Sequence, residues 1–227
     1  MKTTVIIPAL NEAGNISQLV REVLNAVPVH VVVVNNGSTD STAQEAKAAR
    51  AEVVDEPRRG YGYACAAGVT AARNADLLVF MDGDNSFSST DLPSLLSPII
   101  EGRADMVLGS RTRNSNVKGA MHSHQQFGNW LVARLMNLLY GLSITDLGPY
   151  RAIRRQLLDE LDMREMTFGW PTEMIVKAAR RGARIIEVPV SYHNRRFGQS
   201  KVSGTVRGSI LAAWHILSVT FRYAWKI

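Results

Sequence analysis

Leu77-Leu78-Val79-Phe80-Met81-Asp82-Gly83-Asp84 sets five consecutive apolar residues directly ahead of two carboxylates. A short apolar run that ends in turn residues reads as a strand buried on both faces. The two acids stand where such a strand would leave the core. Outward from it the same pattern recurs in Val5-Ile6-Ile7, Val31-Val32-Val33-Val34, Val53-Val54 and Met106-Val107-Leu108. Between these runs, apolar residues return at helical spacing: Ile16, Leu19, Val20, Val23, Leu24 and Val27, then an alanine-rich stretch over 64–73, then Leu92, Leu95, Leu96, Ile99 and Ile100. Ser38, Thr39 and Asp40 supply caps for the helix after the second strand. Strands that read as continuous rather than alternating apolar runs, separated by helices, predict an α/β fold with a mostly parallel sheet flanked by helices.

The second half is less regular. Residues 112–126 are polar and read as a ligand-ordered or mobile loop. Phe127, Leu131, Leu135, Leu138 and Leu142 then share one helical face. Residues 172–181 read as a helix ending at Gly182, and 185–190 as a strand that Pro189 confines to a sheet edge. Residues 193–204 are basic and contain glycine. Val206, Ile210, Ala213, Trp214, Leu217, Phe221 and Trp225 stripe a final amphipathic helix. The expected organisation is one catalytic-size domain over 1–204 plus a C-terminal helix over 205–227. That helix either packs on the domain or lies in a membrane interface with its aromatic side chains inserted.

Composition narrows the class. The 227 residues are 46% hydrophobic and 20% charged, which excludes a disordered or fibrous chain. The net charge of +6 suits an anionic partner. No basic stripe interleaved with aromatics supports nucleic acid. The single cysteine, Cys65, excludes an internal disulfide framework and reads as a small buried packing residue in a reducing, cytoplasmic setting. No signal peptide is legible, and the apolar stretch from Gly208 to Phe221 is shorter than the ~20 residues a span needs.

In an open parallel sheet, ligands bind beyond the carboxyl ends of the strands. Polar and small residues stand at the ends of four predicted strands, the first, second, fourth and fifth: Pro8-Ala9-Leu10-Asn11-Glu12, Asn35-Asn36-Gly37-Ser38-Thr39-Asp40, Asp82-Gly83-Asp84-Asn85 and Gly109-Ser110-Arg111. Any one of these is ordinary turn chemistry; four on one edge make a site. Asp82 and Asp84 can hold a hard divalent ion such as Mg²⁺ or Mn²⁺, which takes one or two carboxylates together with substrate phosphates. Gly60-Tyr61-Gly62 starts a dinucleotide fingerprint, but Cys65 breaks it, and no phosphate-binding Walker loop is present.

Taken with Arg59-Gly60-Tyr61-Gly62, Thr145-Asp146-Leu147-Gly148-Pro149-Tyr150-Arg151, Trp170-Pro171-Thr172-Glu173-Met174, Glu187-Val188-Pro189-Val190 and Arg195-Arg196-Phe197-Gly198-Gln199-Ser200-Lys201, these segments resemble a family 2 glycosyltransferase. The resemblance covers roughly residues 3–207 and is closest to the polyprenyl-phosphate sugar transferases of the dolichyl-phosphate mannose synthase type. It implies a GT-A, Rossmann-like fold and transfer of a hexose from a UDP- or GDP-linked sugar to polyprenyl (dolichyl) phosphate, dependent on Mg²⁺ or Mn²⁺. Pro8, Ala9, Leu10, Glu12 and Asn36 then match the segments lining the nucleotide. Asp82, Gly83 and Asp84 match the diphosphate and metal position, with Ser86 as a further ligand in some relatives. Arg111 matches a residue meeting the acceptor phosphate, joined by Ser200. Asp146 matches one near the transferred sugar, and Arg195, Ser200 and Lys201 match a loop closing over the diphosphate. Relatives commonly carry two aspartates where this chain has Asn35 and Asn36.

The chemistry is coherent. A phosphate acceptor is already anionic, so no dedicated base is needed, and catalysis reduces to alignment and charge stabilisation. Guanidinium suits that task, with Arg111, Arg113, Arg151, Arg195 and Arg196 as candidates. Direct displacement inverts the anomeric centre. Glu173 reads as a base or as an orienter of other groups. His122 and His124 read as loop histidines rather than a metal site. The expected location is the cytoplasm or, peripherally, the inner membrane leaflet. The alternatives are another lipid or saccharide acceptor, or a nucleotide-sugar binder without turnover.

Overall fold

The computed structural model describes residues 1–113, 123–195, 197 and 206–224, with 123, 124 and 206–212 described by backbone alone. Among the described residues, seven strands form one sheet: β1 (Thr3–Ala9), β2 (His30–Asn35), β3 (Glu52–Asp55), β4 (Leu77–Phe80), β5 (Met106–Ser110), β6 (Arg151–Arg154) and β7 (Ile185–Pro189). Their order is β3-β2-β1-β4-β6-β5-β7. Every pairing is parallel except those of β6, which runs antiparallel to both β4 and β5. The sheet is therefore the mostly parallel one that the apolar runs predict, and β7 lies at its edge.

The helices are α1 (Ala13–Ala26), α2 (Thr42–Ala48), α3 (Tyr61–Ala71), α4 (Leu92–Ile100), α5 (Ser123–Tyr140), α6 (Arg155–Glu160), α7 (Trp170–Arg180) and α8 (Val206–Arg222). They cover both faces. Side chains of a strand alternate between faces, so Val5 and Ile7 join Leu19, Val23 and Leu95 of α1 and α4, while Ile6 faces the opposite way into Cys65, Met174 and Val176 of α3 and α7. This two-sided burial is why the strand sequences carry no polar alternation.

Three local expectations change. β6 was not predicted; its four residues hold two arginines and only two apolar side chains, too little to register as a strand. Residues 123–126, placed in the polar loop by the sequence, belong to α5, and 114–122 of that loop lie outside the described residues. The helix placed over 64–73 begins earlier, at Tyr61, and ends at Ala71. α8 packs against α5 and α7, with Val219 and Thr220 fully buried, yet Trp214 on its other side is 70% exposed.

Candidate active site

The carboxyl ends of β1, β2, β4 and β5 open onto a cleft of about 870 Å³. Pro8, Ala9, Leu10, Glu12, Asn36, Asp82, Gly83, Asp84, Arg111 and Arg195 all line it. Chain segments far apart in sequence thus meet at one edge of the sheet. Two asparagines make the turns: Asn11 after β1 and Asn85 after the acid pair adopt positive φ, 52° and 58°. Asparagine tolerates that left-handed conformation better than most side chains.

The acids at the head of the cleft are not equivalent. Asp84 Oδ1 accepts from the Ser86 amide at 3.0 Å and the Ser86 hydroxyl at 2.6 Å. Its Oδ2 accepts from Arg195 Nη2 at 2.7 Å, and Arg195 Nη1 reaches Glu12 Oε1 at 3.5 Å. Asp82 makes no such ion pair among the described residues. Burial and the neighbouring Asp84 charge push its carboxyl up to about 7, against the opposing pull of the Tyr61 hydroxyl, Arg111 and Arg151. Asp84 thus has a cationic partner in Arg195, while Asp82 forms no ion pair among the described residues. Among the described residues no cluster of three or more His, Cys, Asp and Glu side chains could hold an ion unaided. A divalent ion fits Asp82 and Asp84 provided that a ligand phosphate completes the coordination, the usual arrangement for Mg²⁺.

Arg111 is held differently. Its Nε and backbone N–H donate to Asp146 Oδ2 at 2.8 and 2.7 Å, and its Nη2 donates to Asp146 Oδ1 at 2.7 Å. Its guanidinium lies over the Tyr192 ring at 5.2 Å. Asp146 is fully buried and does not line the cleft. Burial pushes its carboxyl up, but the Arg111 contacts win and hold it below the usual range. The residue expected near the sugar thus supports Arg111 from beneath. Glu187 continues the support, accepting from the Thr145 and Asp146 amides at 2.7 and 2.9 Å.

Asn36 lines the cleft, and its amide is used at both ends. Nδ2 donates to the Glu56 and Arg58 carbonyls at 3.0 and 2.7 Å, and Oδ1 accepts from Gly60 N at 3.0 Å. An ionised aspartate could accept but not donate, so the amide suits this loop.

Two other candidates change role. Arg151 is 1% exposed. It donates to the carbonyls of Pro149, Pro171, Leu147 and Gly148 and is therefore structural, out of reach of a substrate phosphate. Glu173 is fully buried under several donors, which removes it as a base. Arg113 pairs with Glu187 at 3.2 Å. Ser200, Lys201, Arg196, His122, Trp225 and the His124 side chain lie outside the described residues.

Sequence reasoning missed one wall of the site. The cleft continues from the acids between α5 and α8, where Leu131, Val132, Ile216 and Leu217 line it together with Leu147 and Phe168. The helical stripes of α5 and α8 were legible, but their meeting beside the cleft was not. Asn129 of α5 ties this arm to the Arg111 support, donating to Thr145 O at 3.0 Å and accepting from Leu147 N at 3.0 Å.

A parallel sheet with an interposed antiparallel strand, an acid pair at the carboxyl end of a central strand and a cleft across that edge describes a GT-A glycosyltransferase. Residues 4–162 match the family described as glycosyl transferase family 2, and this chain belongs to that family. It is a glycosyltransferase. An uncharacterized glycosyltransferase of Mycobacterium tuberculosis is 37% identical over 220 residues, covering 95% of this chain and 97% of the relative. The undecaprenyl-phosphate mannosyltransferase of Micrococcus luteus is 31% identical over 221 residues, 92% of this chain and 90% of that one. The polyprenol monophosphomannose synthase of Mycolicibacterium smegmatis is 32% identical over 222 residues, 90% and 82% respectively. Among solved structures, glucosyl-3-phosphoglycerate synthase from M. tuberculosis, in complex with Mn²⁺, UDP and phosphoglyceric acid, superposes with a TM-score of 0.77 at 21% identity, covering 100% of this chain and 79% of that one.

Proposed function

We propose that this enzyme moves a hexose, of glucose or mannose type, from a UDP- or GDP-linked sugar to a polyprenyl phosphate, with inversion and with Mg²⁺ or Mn²⁺ as cofactor. One observation carries the reading: a single cleft joins the Asp82–Asp84 acid pair to an apolar arm between two helices. Such an arm suits a prenyl chain, while a soluble saccharide would leave it unfilled. The names of the Micrococcus and Mycolicibacterium relatives agree with a lipid-phosphate acceptor, and the solved neighbour carries Mn²⁺ with UDP.

In this reading Asp82 and Asp84 would hold the divalent ion, which would offset charge on the departing diphosphate. Arg195, paired with Asp84 in the same cleft, would turn to that diphosphate. Arg111 orients the acceptor phosphate, its guanidinium fixed by Asp146 beneath. A phosphate oxygen of the acceptor attacks the anomeric carbon. The bond to the diphosphate oxygen breaks, and the nucleoside diphosphate leaves with the electron pair. No proton transfer is required of the protein.

The same two helices expose apolar side chains outward: Phe127 at 63%, Trp130 at 51% and Leu138 at 82% on α5, and Trp214 at 70% on α8. Arg134 lies over the Trp130 ring at 5.7 Å. No helix among the described residues is long and apolar enough to cross a membrane. This face suits peripheral contact with an anionic inner leaflet, which would present the acceptor beside the cleft.

Transfer from labelled UDP- and GDP-hexoses should be measured with undecaprenyl phosphate, with a short-chain prenyl phosphate and with soluble saccharides. We expect undecaprenyl phosphate to be preferred and EDTA to abolish transfer. Equal rates for the short and long prenyl chains, or transfer to a free saccharide alone, would refute the lipid acceptor. Replacing Trp130 and Trp214 with serine should weaken co-sedimentation with phosphatidylglycerol vesicles; unchanged binding would remove the membrane contact.

A further inference from the structure

Glu173, at the start of α7, has no exposed surface, and its carboxylate accepts from two directions. Oε2 takes the backbone N–H of Arg164 at 2.9 Å and of Glu165 at 2.7 Å. Oε1 takes Lys177 Nζ at 2.8 Å and the Tyr223 hydroxyl at 2.7 Å. The first pair fixes the loop between α6 and α7; the second fixes the chain at the end of α8.

That loop abuts the donor end of the cleft. Met166 O accepts from Tyr63 N at 3.2 Å. A Cβ at Gly60 would stand 2.6 Å from Met166 O, and one at Gly62 would stand 2.5 Å from Glu165 O. The two glycines are thus required by the loop's approach, and Tyr61 between them lines the cleft together with Asp82. The same loop abuts the apolar arm. Thr167 and Phe168 line the cleft, and Thr167 Oγ1 meets His215 Nδ1 of α8 at 3.1 Å. A Cβ at Gly169 would stand 2.9 Å from Val219 of α8.

We propose that Glu173 is a positioning residue for the transfer, holding Tyr61 in the cleft wall through the 164–168 loop and holding α8 along the apolar arm through Tyr223. The inference rests on the lipid-acceptor reading for the role of that arm. A buried carboxylate with donors on both oxygens is geometrically rigid, because releasing either side leaves a buried charge underpaired. One group therefore sets the spacing between the two ends of the cleft.

Two variants separate the two links. Tyr223→Phe keeps the ring beside Lys177 and both amides on Oε2, so only the tie to α8 is cut. We expect the acceptor KM to rise about fivefold, the worth of one net hydrogen bond, while donor KM and kcat stay within about twofold. Glu173→Gln turns an N–H toward Lys177 and Tyr223 or toward the two amides, and should raise both KM values. It should also accelerate amide hydrogen exchange at Tyr63, which does not touch Glu173, together with Arg164 and Glu165. An acceptor KM that Tyr223→Phe leaves unchanged, a donor KM that rises in step with it, or Tyr63 exchange at the wild-type rate in Glu173→Gln overturns the proposal. Should Glu173→Gln not fold, the KM split of Tyr223→Phe decides alone. Should the wild type transfer to no lipid phosphate, the acceptor reading fails, and Tyr63 exchange still decides whether Glu173 holds the donor turn.

Discussion

Asp82 and Asp146 are the same side chain, both close to Arg111, and their surroundings drive them in opposite directions. Asp82 faces the cleft beside a second carboxylate and is pushed up to about 7 by burial and by that neighbour. Asp146 faces away from the cleft, carries three contacts from Arg111 and is held below the usual carboxylate range despite its burial. The first forms no ion pair among the described residues, and a cation would supply its partner. The second is closed: its charge is already spent on aiming a guanidinium. The layout places unsatisfied charge where ligands enter and satisfied charge one layer beneath, and Glu173 and Arg151 repeat the second pattern.

Breaking the open site should cost activity without stability. We expect Asp84→Asn to lower transfer by roughly 10²–10³-fold, the usual scale for losing one preorganised charge contact, with Tm unchanged. Breaking the closed site should cost stability as well as acceptor affinity. Asp146→Asn strips Arg111, 15% exposed at its side chain, of its counter-charge; breaking such a pair typically costs about 3–5 kcal/mol. Thermal or urea unfolding checks the loss, and the acceptor KM should rise because Arg111 is no longer aimed.

The contrast also has a pH signature. Asp82 binds its proton more tightly in the folded state than its ordinary value of 3.8 allows. Between about 4 and about 7 the folded state therefore holds more of that proton than the unfolded state, and stability falls as pH rises. The metal-free protein should lose Tm across that window. Asp82→Asn should flatten the slope, and added Mn²⁺ should reverse the loss at the upper end. The smallest effect belongs to a surface pair. Asp105 is lowered to about 2, first by its hydrogen bond to Arg184, so its contribution is present above its ordinary pKa and fades as pH falls toward 2. Asp105→Asn should cost no more than about 1 kcal/mol at neutral pH, as exposed pairs do, and leave transfer untouched.

Legibility in the sequence divides along the same line. The strands β1 to β5 and the acid pair were readable because burial on two faces leaves unbroken apolar runs, and because polar residues at each strand end share one edge. Cleft residues from Pro8 to Arg195 came from that edge and from the family resemblance. The layer beneath was not readable. Arg151 looks like a surface or phosphate-binding arginine until β6 buries it among four carbonyls. Asp146 looks like a cleft acid until Arg111 turns out to cover it. Glu173 looks like a possible base until its four donors are seen. A buried charge is made tolerable by partners distant in sequence, and local spacing carries no record of them. The apolar arm was hidden for the same reason, since each helix alone reads as an ordinary packing stripe.

The central claim is that Asp82 and Asp84 complete a divalent-ion site only together with a nucleoside diphosphate. Isothermal titration of UDP and of GDP into the wild type and Asp84→Asn, each with Mn²⁺ and with EDTA, tests it directly. The account predicts that one of the two nucleotides binds the wild type with Mn²⁺, at least tenfold more weakly in EDTA, and that Asp84→Asn loses the Mn²⁺ dependence while keeping its Tm. Equal affinity with Mn²⁺ and EDTA in the wild type, or undiminished Mn²⁺-dependent binding in Asp84→Asn, would contradict it.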